Sequence, residues 1–226
     1  MTLAIEEILG HHFVRPGLLR EALTHRSAAV AQRRGRQGVG SNERLEFMGD
    51  RVLGLLMAEW LVERYPAEQE GELGRRLAHL VSQSVLATVA DAIGLEAALT
   101  VSPGEARAGV KKRATVLADA LEAALGALFL DGGLAPAKAF VRRAWLDAIE
   151  AQTVPPKDPK TCLQEWALAR GQPLPTYTVV SRSGPPHAPA FTISVDAGGQ
   201  SGTGSAGSKR AAEQIAAEDL LRALAP

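Results

Sequence analysis

Through the first 150 positions the apolar residues recur at helical spacing, and a strand-like rhythm appears only near residue 176. The spacing predicts short helices over Thr2–Leu9 and Pro16–Leu23, the second opened by a proline near its first helical position. A longer helix follows from about Ser41 or Asn42, either of which can cap it. Leu45, Met48, Val52, Leu55 and Leu56 set its buried face. It stops at Tyr65-Pro66, because the residue before a proline is pushed out of the α conformation. An acidic loop, Ala67–Gly74, leads into a helix over Arg75–Asp91, and a basic spot, Gly109–Arg113, precedes a helix over Ala114–Leu130. Three prolines give Gln152–Pro159 the composition of a linker. Beyond it the pattern predicts a helix over Lys160–Arg170 closed by Gly171, then strands over Thr176–Arg182 and Ala190–Asp196. Val179, Val180, Phe191, Ile193 and Val195 are the expected inward residues of those strands. The Gly-rich run 198–207 is poor strand material for a third strand, and an Ala-rich helix over Ser208–Leu224 closes the chain. The architecture expected is an all-α domain over 1–151, a linker over 152–159, and a small α+β domain over 160–226 in the order α-β-β-β-α.

Composition narrows the function classes. With 226 residues, 46% of them hydrophobic, the chain can build a real core, which argues against wholesale disorder. Its 25 basic and 25 acidic residues cancel, excluding a simple polycation that coats nucleic acid but not one with locally clustered charge. The lone Cys162 excludes a disulfide framework and a cysteine-rich zinc site, and suits a reducing compartment. The start lacks a basic stretch followed by an apolar run, and no uncharged apolar run reaches about 18 residues. A cytoplasmic protein with no membrane partner is expected.

The candidate chemistry lies in acids placed where acids are unusual. Glu43, Glu46 and Asp50 share roughly 60° of arc on the long helix at about 100° per residue. Phe47, Met48, Val52 and Leu53 flank them, leaving little of the helix free to face water. Carboxylates crowded in such a place repel one another and take up protons unless a cation neutralises them. Gly49 and Gly54 each cost about 1 kcal/mol relative to alanine inside a helix, which points to a close approach to the backbone. The helix over Ala114–Leu130 carries only two charges, Asp119 and Glu122, at i,i+3 on one face of an otherwise apolar cylinder. Either unseen arginines neutralise them, or they face Glu46 and Asp50 across a helix pair. Four carboxylates around a cation would suit Mg²⁺ or Mn²⁺. His11, His12 and His25 lack the i,i+4 partners of a helical zinc site, and His25 reads as a packing or hydrogen-bonding residue. No histidine stands three residues after Glu46 or Glu122, which argues against a di-iron carboxylate bundle.

At these residues the chain resembles a known family. The run NERLEFMGD at Asn42–Asp50 is similar, almost letter for letter, to the signature of ribonuclease III, with Met48 where leucine is commoner. ALTHRS at Ala22–Ser27, EGELGR at Glu70–Arg75 and LADALEAALGALFLDGG at Leu117–Gly133 resemble that family's other blocks in order and spacing. The resemblance covers the whole chain. It implies a Mg²⁺-dependent endoribonuclease, with Mn²⁺ able to substitute, that hydrolyses double-stranded RNA and leaves 5′-phosphate and 3′-hydroxyl ends. Precursors of ribosomal RNA, with some messenger and transfer RNAs, would be its substrates. Glu46, Asp50, Asp119 and Glu122 would hold metal, with Asp50 and Glu122 in catalytic roles. Glu43 and Glu70 would act near the RNA or the dimer rim, and Phe47 would be the interface knob of a C₂ homodimer that supplies the second cut.

The last 70 residues resemble a double-stranded RNA-binding domain, which reads duplex shape and 2′-hydroxyls across two minor grooves. Thr161, Gln164 and Glu165 would meet one minor groove and His187 the other, while Ser208, Lys209 and Arg210 would meet phosphate at a helix N-terminus. The region 157–226 holds seven Lys/Arg against six acids, and Glu213 stands where the motif often has a third basic residue. Modest, strongly salt-dependent binding is expected. The rival reading is a non-catalytic, ribosome-associated relative; such a protein would be expected to lack acids of the cluster, and none is missing.

Overall fold

The computed structural model describes residues 2–33, 40–156, 158–185 and 189–224, which fall into two compact units, Met1–Pro156 and Lys157–Pro226. Among the described residues the first unit is helical: α1 (Thr2–Leu9), α2 (Pro16–Ala22), α3 (Arg26–Arg33), α4 (Glu43–Arg64), α5 (Glu70–Leu80), α6 (Gln83–Ala92), α7 (Pro103–Arg107), α8 (Ala114–Gly132), α9 (Leu134–Ala144) and α10 (Leu146–Glu150). Helix α8 is the axis of the core, with Leu117, Leu121, Leu125 and Leu128 enclosed, and α2, α4, α6 and α9 pack around it. Helix α4 buries Leu45, Val52, Leu53, Leu56, Met57, Trp60 and Leu61 against it. Leu55, expected on that buried face, is instead 59% exposed, as are Phe47 and Val62 at 64% and 60%. The apolar positions of α4 run nearly all round it, and α8 covers only one side.

Two further expectations need correction. The acidic stretch before Arg75 is not all loop, because α5 already begins at Glu70. Its start is set by a capping box in which the Glu72 carboxylate accepts the Gln69 N–H at 2.9 Å. The single helix expected over Arg75–Asp91 is two, broken at Val81-Ser82. There the buried Trp145 Nε1 donates to the Leu80 carbonyl at 3.0 Å, satisfying an orphan C=O at the end of α5. Nearby, the fully buried Arg76 forks onto both Glu68 oxygens at 2.8 and 2.6 Å and lies 3.8 Å over the Tyr65 ring. Its third bond, to the Gln152 carbonyl at 2.6 Å, ties the end of this unit to the α4–α5 corner.

Asp131, in the last turn of α8, anchors the N-terminal helices. It accepts from the Val14 and Arg15 backbone N–H groups at 2.9 Å each and pairs with His11 Nε2 at 2.8 Å. Burial pushes its carboxyl up, but the bonds from His11, Arg15 and Val14 outweigh that and hold it down at about 2. A pKa depressed in the fold contributes stability that is present above the unfolded value near 4 and lost as pH falls through about 2. Asp131→Asn is therefore expected to cost about 1–2 kcal/mol at pH 7, allowing for solvent screening. Urea melts should show the gap between the two proteins closing between about pH 4 and pH 2.

The second unit packs α11 (Pro159–Ala169) and α12 (Lys209–Leu224) with a three-stranded antiparallel sheet ordered β1 (Thr176–Ser183), β2 (Ala190–Ala197), β3 (Gln200–Ala206). The Gly-rich third strand forms because its glycines are needed there. A Cβ on Gly202 would lie 2.6 Å from the Ala216 carbonyl oxygen, and one on Gly204 2.4 Å from that of Ala212, so α12 rests directly on this strand. The hairpin into it turns on Gly198-Gly199 at φ 60° and 77°, the left-handed pair that two-residue hairpins require. Ile193 and Val195 are buried as expected, and Phe191 is half-buried. Val179 and Val180 are not: they are 47% and 62% exposed. Strand β1 is an edge beyond the cover of α12, and the register slips at Val180, between the Val179 and Ser181 pairings.

Candidate metal centre and nucleic-acid interface

The centre is built where α4 and α8 cross without side chains between them. A Cβ on Gly49 would fall 1.7 Å from the Glu122 carbonyl oxygen, and one on Gly126 2.2 Å from that of Leu45. Glycines at both crossing points allow backbone-to-backbone contact, which carries Glu46 and Glu122 toward each other. Gly54, grouped with Gly49 on sequence, faces nothing within 4 Å.

Glu46, Asp119 and Glu122 each offer a carboxylate oxygen within 4.8 Å of the others, all half-buried. Burial, then repulsion from Glu46 and Asp119, pushes the Glu122 carboxyl up to about 7, against the pull of Arg51. Burial likewise raises Asp119, opposed by His25 and Arg26, and burial with Asp119 and Glu43 raises Glu46. Three mutually repelling carboxylates with oxygen-only donors fit a hard divalent cation. Asp50 lies one turn farther along α4, outside this group, and its carboxylate pairs with Arg51.

Glu46 and Asp119 open onto a polar cleft of about 560 Å³ that they share with Glu43, His25, Arg26, Glu105 and Arg113. Glu43 is exposed there, its Oε2 accepting from Ser41 Oγ at 2.6 Å. His25 does make hydrogen bonds, with Nδ1 3.0 Å from Ser27 Oγ and accepting the Ser27 N–H at 3.3 Å, but it makes them in the cleft wall, where Nδ1 also lies 3.1 Å from the Glu105 carboxylate. Its loop is fixed by a bridge from Thr24 to Thr100 and by the His25 N–H on the Thr100 carbonyl at 2.9 Å. Sequence reasoning left Arg26, Glu105 and Arg113 unassigned, and no spacing rule links three such distant positions.

Phe47 projects from α4 on the exposed side, with the Arg51 guanidinium 5.1 Å above its ring. Farther along, Ala58, Leu61, Val62, Leu73 and Leu77 line an apolar hollow of about 310 Å³ between α4 and α5, with Glu70 at its edge. In the second unit Thr161, Gln164 and Glu165 are all exposed on α11, whose start Asp158 caps by accepting from the Lys160 and Thr161 N–H groups. Lys209 and Arg210 are exposed at the start of α12, and Ser208 Oγ accepts the Ala211 N–H at 3.2 Å. His187 lies outside the described residues. Among the described residues no helix is long and apolar enough to cross a membrane.

Comparison with known proteins decides the family. Residues 15–149 match the model described as Ribonuclease-III-like, and residues 159–224 match that of the double-stranded RNA binding motif. The chain belongs to the ribonuclease III family. It is 46% identical over 219 residues to Ribonuclease 3 of Rhodopseudomonas palustris, covering 96% of this chain and 79% of that protein. Against Ribonuclease 3 of a Jannaschia species the identity is 45% over 223 residues, covering 98% and 96%. The nuclease domain of ribonuclease III from Campylobacter jejuni superposes with a TM-score of 0.58 at 34% identity, covering 65% of this chain and 94% of that one. This ribonuclease III is thus an endoribonuclease with a helical nuclease domain followed by an RNA-binding fold.

Proposed function

We propose that this ribonuclease III cuts double-stranded RNA by Mg²⁺-dependent hydrolysis, with Mn²⁺ able to substitute, leaving 5′-phosphate and 3′-hydroxyl ends. The observation that carries this reading is the convergence of Glu46, Asp119 and Glu122 oxygens within 4.8 Å at a glycine crossing. These three hold the metal, with Asp50 as a fourth ligand one turn along α4, and Asp50 and Glu122 have the catalytic roles. When bound, the cation supplies a deprotonated water and neutralises charge on the leaving 3′ oxygen. The protein's part is to hold Glu122 against Glu46 and Asp119, where their repulsion favours a cation over protons, and to admit a phosphodiester along the wall of Glu43, His25, Arg26 and Arg113.

One centre cuts one strand, so we assign the second cut to a C₂ homodimer. The exposed Phe47, Leu55 and Val62 support it, as does the apolar hollow with Glu70 at its edge, which offers such a knob a socket on the partner. A solved structure of the Campylobacter jejuni nuclease domain is described as showing flexibility in a region involved in dimer formation. Residues 1–151 form the catalytic domain, 152–159 the linker and 160–226 the RNA-binding domain, which grips one minor groove with Thr161, Gln164 and Glu165 and a second with His187. Ser208, Lys209 and Arg210 take phosphate. The substrates are cytoplasmic precursors of ribosomal RNA, with some messenger and transfer RNAs. The test is end analysis of a labelled RNA duplex after incubation with and without Mg²⁺. Cleavage only with Mg²⁺ and 5′-phosphate products are expected, whereas cyclic or 3′-phosphate ends contradict the mechanism.

A further inference from the structure

We infer that Glu213 acts as a built-in counter-charge on the phosphate-binding end of α12, restraining Lys209 and Lys160 and thereby weakening duplex binding and flattening its salt dependence. The inference rests on the RNA-binding reading of the second unit given above. Glu213 sits one turn beyond Lys209, and its side chain is only 14% exposed. Its Oε2 holds Lys160 Nζ at 2.6 Å, and its Oε1 faces Lys209 Nζ at 3.8 Å. One carboxylate therefore spans the first cation of α11 and the first cation of α12. Lys160 is further held 4.6 Å over the Tyr177 ring. Asp158 faces the same junction, accepting from the Lys160 N–H and from Gln214 Nε2 at 2.9 Å.

The electrostatic consequence follows from what phosphate contacts release. Each lysine or arginine that neutralises a phosphate frees condensed counterions, so log Kd shifts with log salt by about 0.9 per contact for a duplex. A lysine already facing a carboxylate must exchange one anionic partner for another, so it contributes less affinity and less slope. A phosphate at the start of α12 also meets the field of Glu213 one turn inside the helix. With seven cations against six acids over 157–226, the domain has little charge to spare, and this carboxylate decides how much of it reaches RNA. Glu213 is thus a positioning residue acting through Lys209 and Lys160.

The test measures duplex RNA binding by the full chain in metal-free buffer across a salt series, for the native protein and Glu213→Gln. The variant should bind roughly 3- to 10-fold tighter near physiological salt, with a slope steeper by up to about 0.9 for each lysine released. Binding by both proteins with equal slopes, or weaker binding by a variant whose thermal melt is unchanged, overturns the inference alone. Absence of duplex binding by both overturns the RNA reading and the inference with it. Should Glu213→Gln fail to fold, Lys209→Gln in the native background decides the matter. A slope loss well below about 0.9 is expected, and the full loss of an unrestrained contact overturns the inference.

Discussion

Glu122→Gln should slow duplex RNA cleavage by about 10²–10³-fold, about 3–4 kcal/mol of transition-state stabilisation, while leaving duplex binding in place. Glutamine keeps the shape of the side chain and one acceptor oxygen but removes the charge that a hard divalent cation selects. Glu122 is the most perturbed of the three carboxyls, desolvated and repelled by both Glu46 and Asp119. Replacing it relieves that repulsion, so the variant should melt no lower than the native protein. Loss of rate without loss of fold separates a functional acid from a structural one. Retained binding is expected because the second unit, Lys157–Pro226, has a core of its own around Leu163, Ile193, Val195 and Leu220. Initial rates on a long duplex, with parallel gel-shift titrations, measure both. An undiminished rate would remove Glu122 from the centre.

Gly49→Ala is expected to damage fold and catalysis together. The added methyl would fall 1.7 Å from the Glu122 carbonyl oxygen and 2.5 Å from its carbon, and neither atom can move without shifting α8. Relief requires α4 and α8 to separate, at a cost of about 1–3 kcal/mol for an overpacked core. It also displaces Glu46 relative to Glu122, and an error of about 1 Å in a reacting geometry costs about 100-fold in rate. Gly126→Ala, 2.2 Å from the Leu45 carbonyl oxygen, should behave alike. Urea denaturation and cleavage rates of the same preparations make the measurement, and native values for both would show that the crossing has slack.

How far the sequence revealed this depends on the kind of contact. The acids proposed to hold metal were legible because burial and charge conflict within a short window: Asp119 and Glu122 interrupt an otherwise apolar helix, and Glu46 lies on a glycine-bearing one. Which glycine mattered was not legible. Gly49 and Gly54 look alike along the chain, and only the crossing with α8 distinguishes them. The third strand read as weak because glycine has poor strand propensity, yet Gly202 and Gly204 are there so that α12 can lie on the sheet. The two valines of β1 read as core from their β-branched side chains, although neighbours on a strand point to opposite faces and α12 lies over β2 and β3 instead. The start of α5 was hidden because the glycines of Glu70–Arg75 resemble a loop, while the capping box that fixes it is a matter of hydrogen bonds. Bonds across long separations, such as Asp131 to His11 and Arg76 to Gln152, leave no mark in spacing at all.

The most direct measurement is of the cation itself. Mn²⁺ titrated into native protein and into Glu122→Gln, with free ion followed by electron paramagnetic resonance, reads occupancy without RNA. The native protein should take up Mn²⁺ that Mg²⁺ displaces, and Glu122→Gln should bind it more weakly by roughly tenfold or more. Equal uptake by the two proteins would contradict a metal centre at Glu46, Asp119 and Glu122.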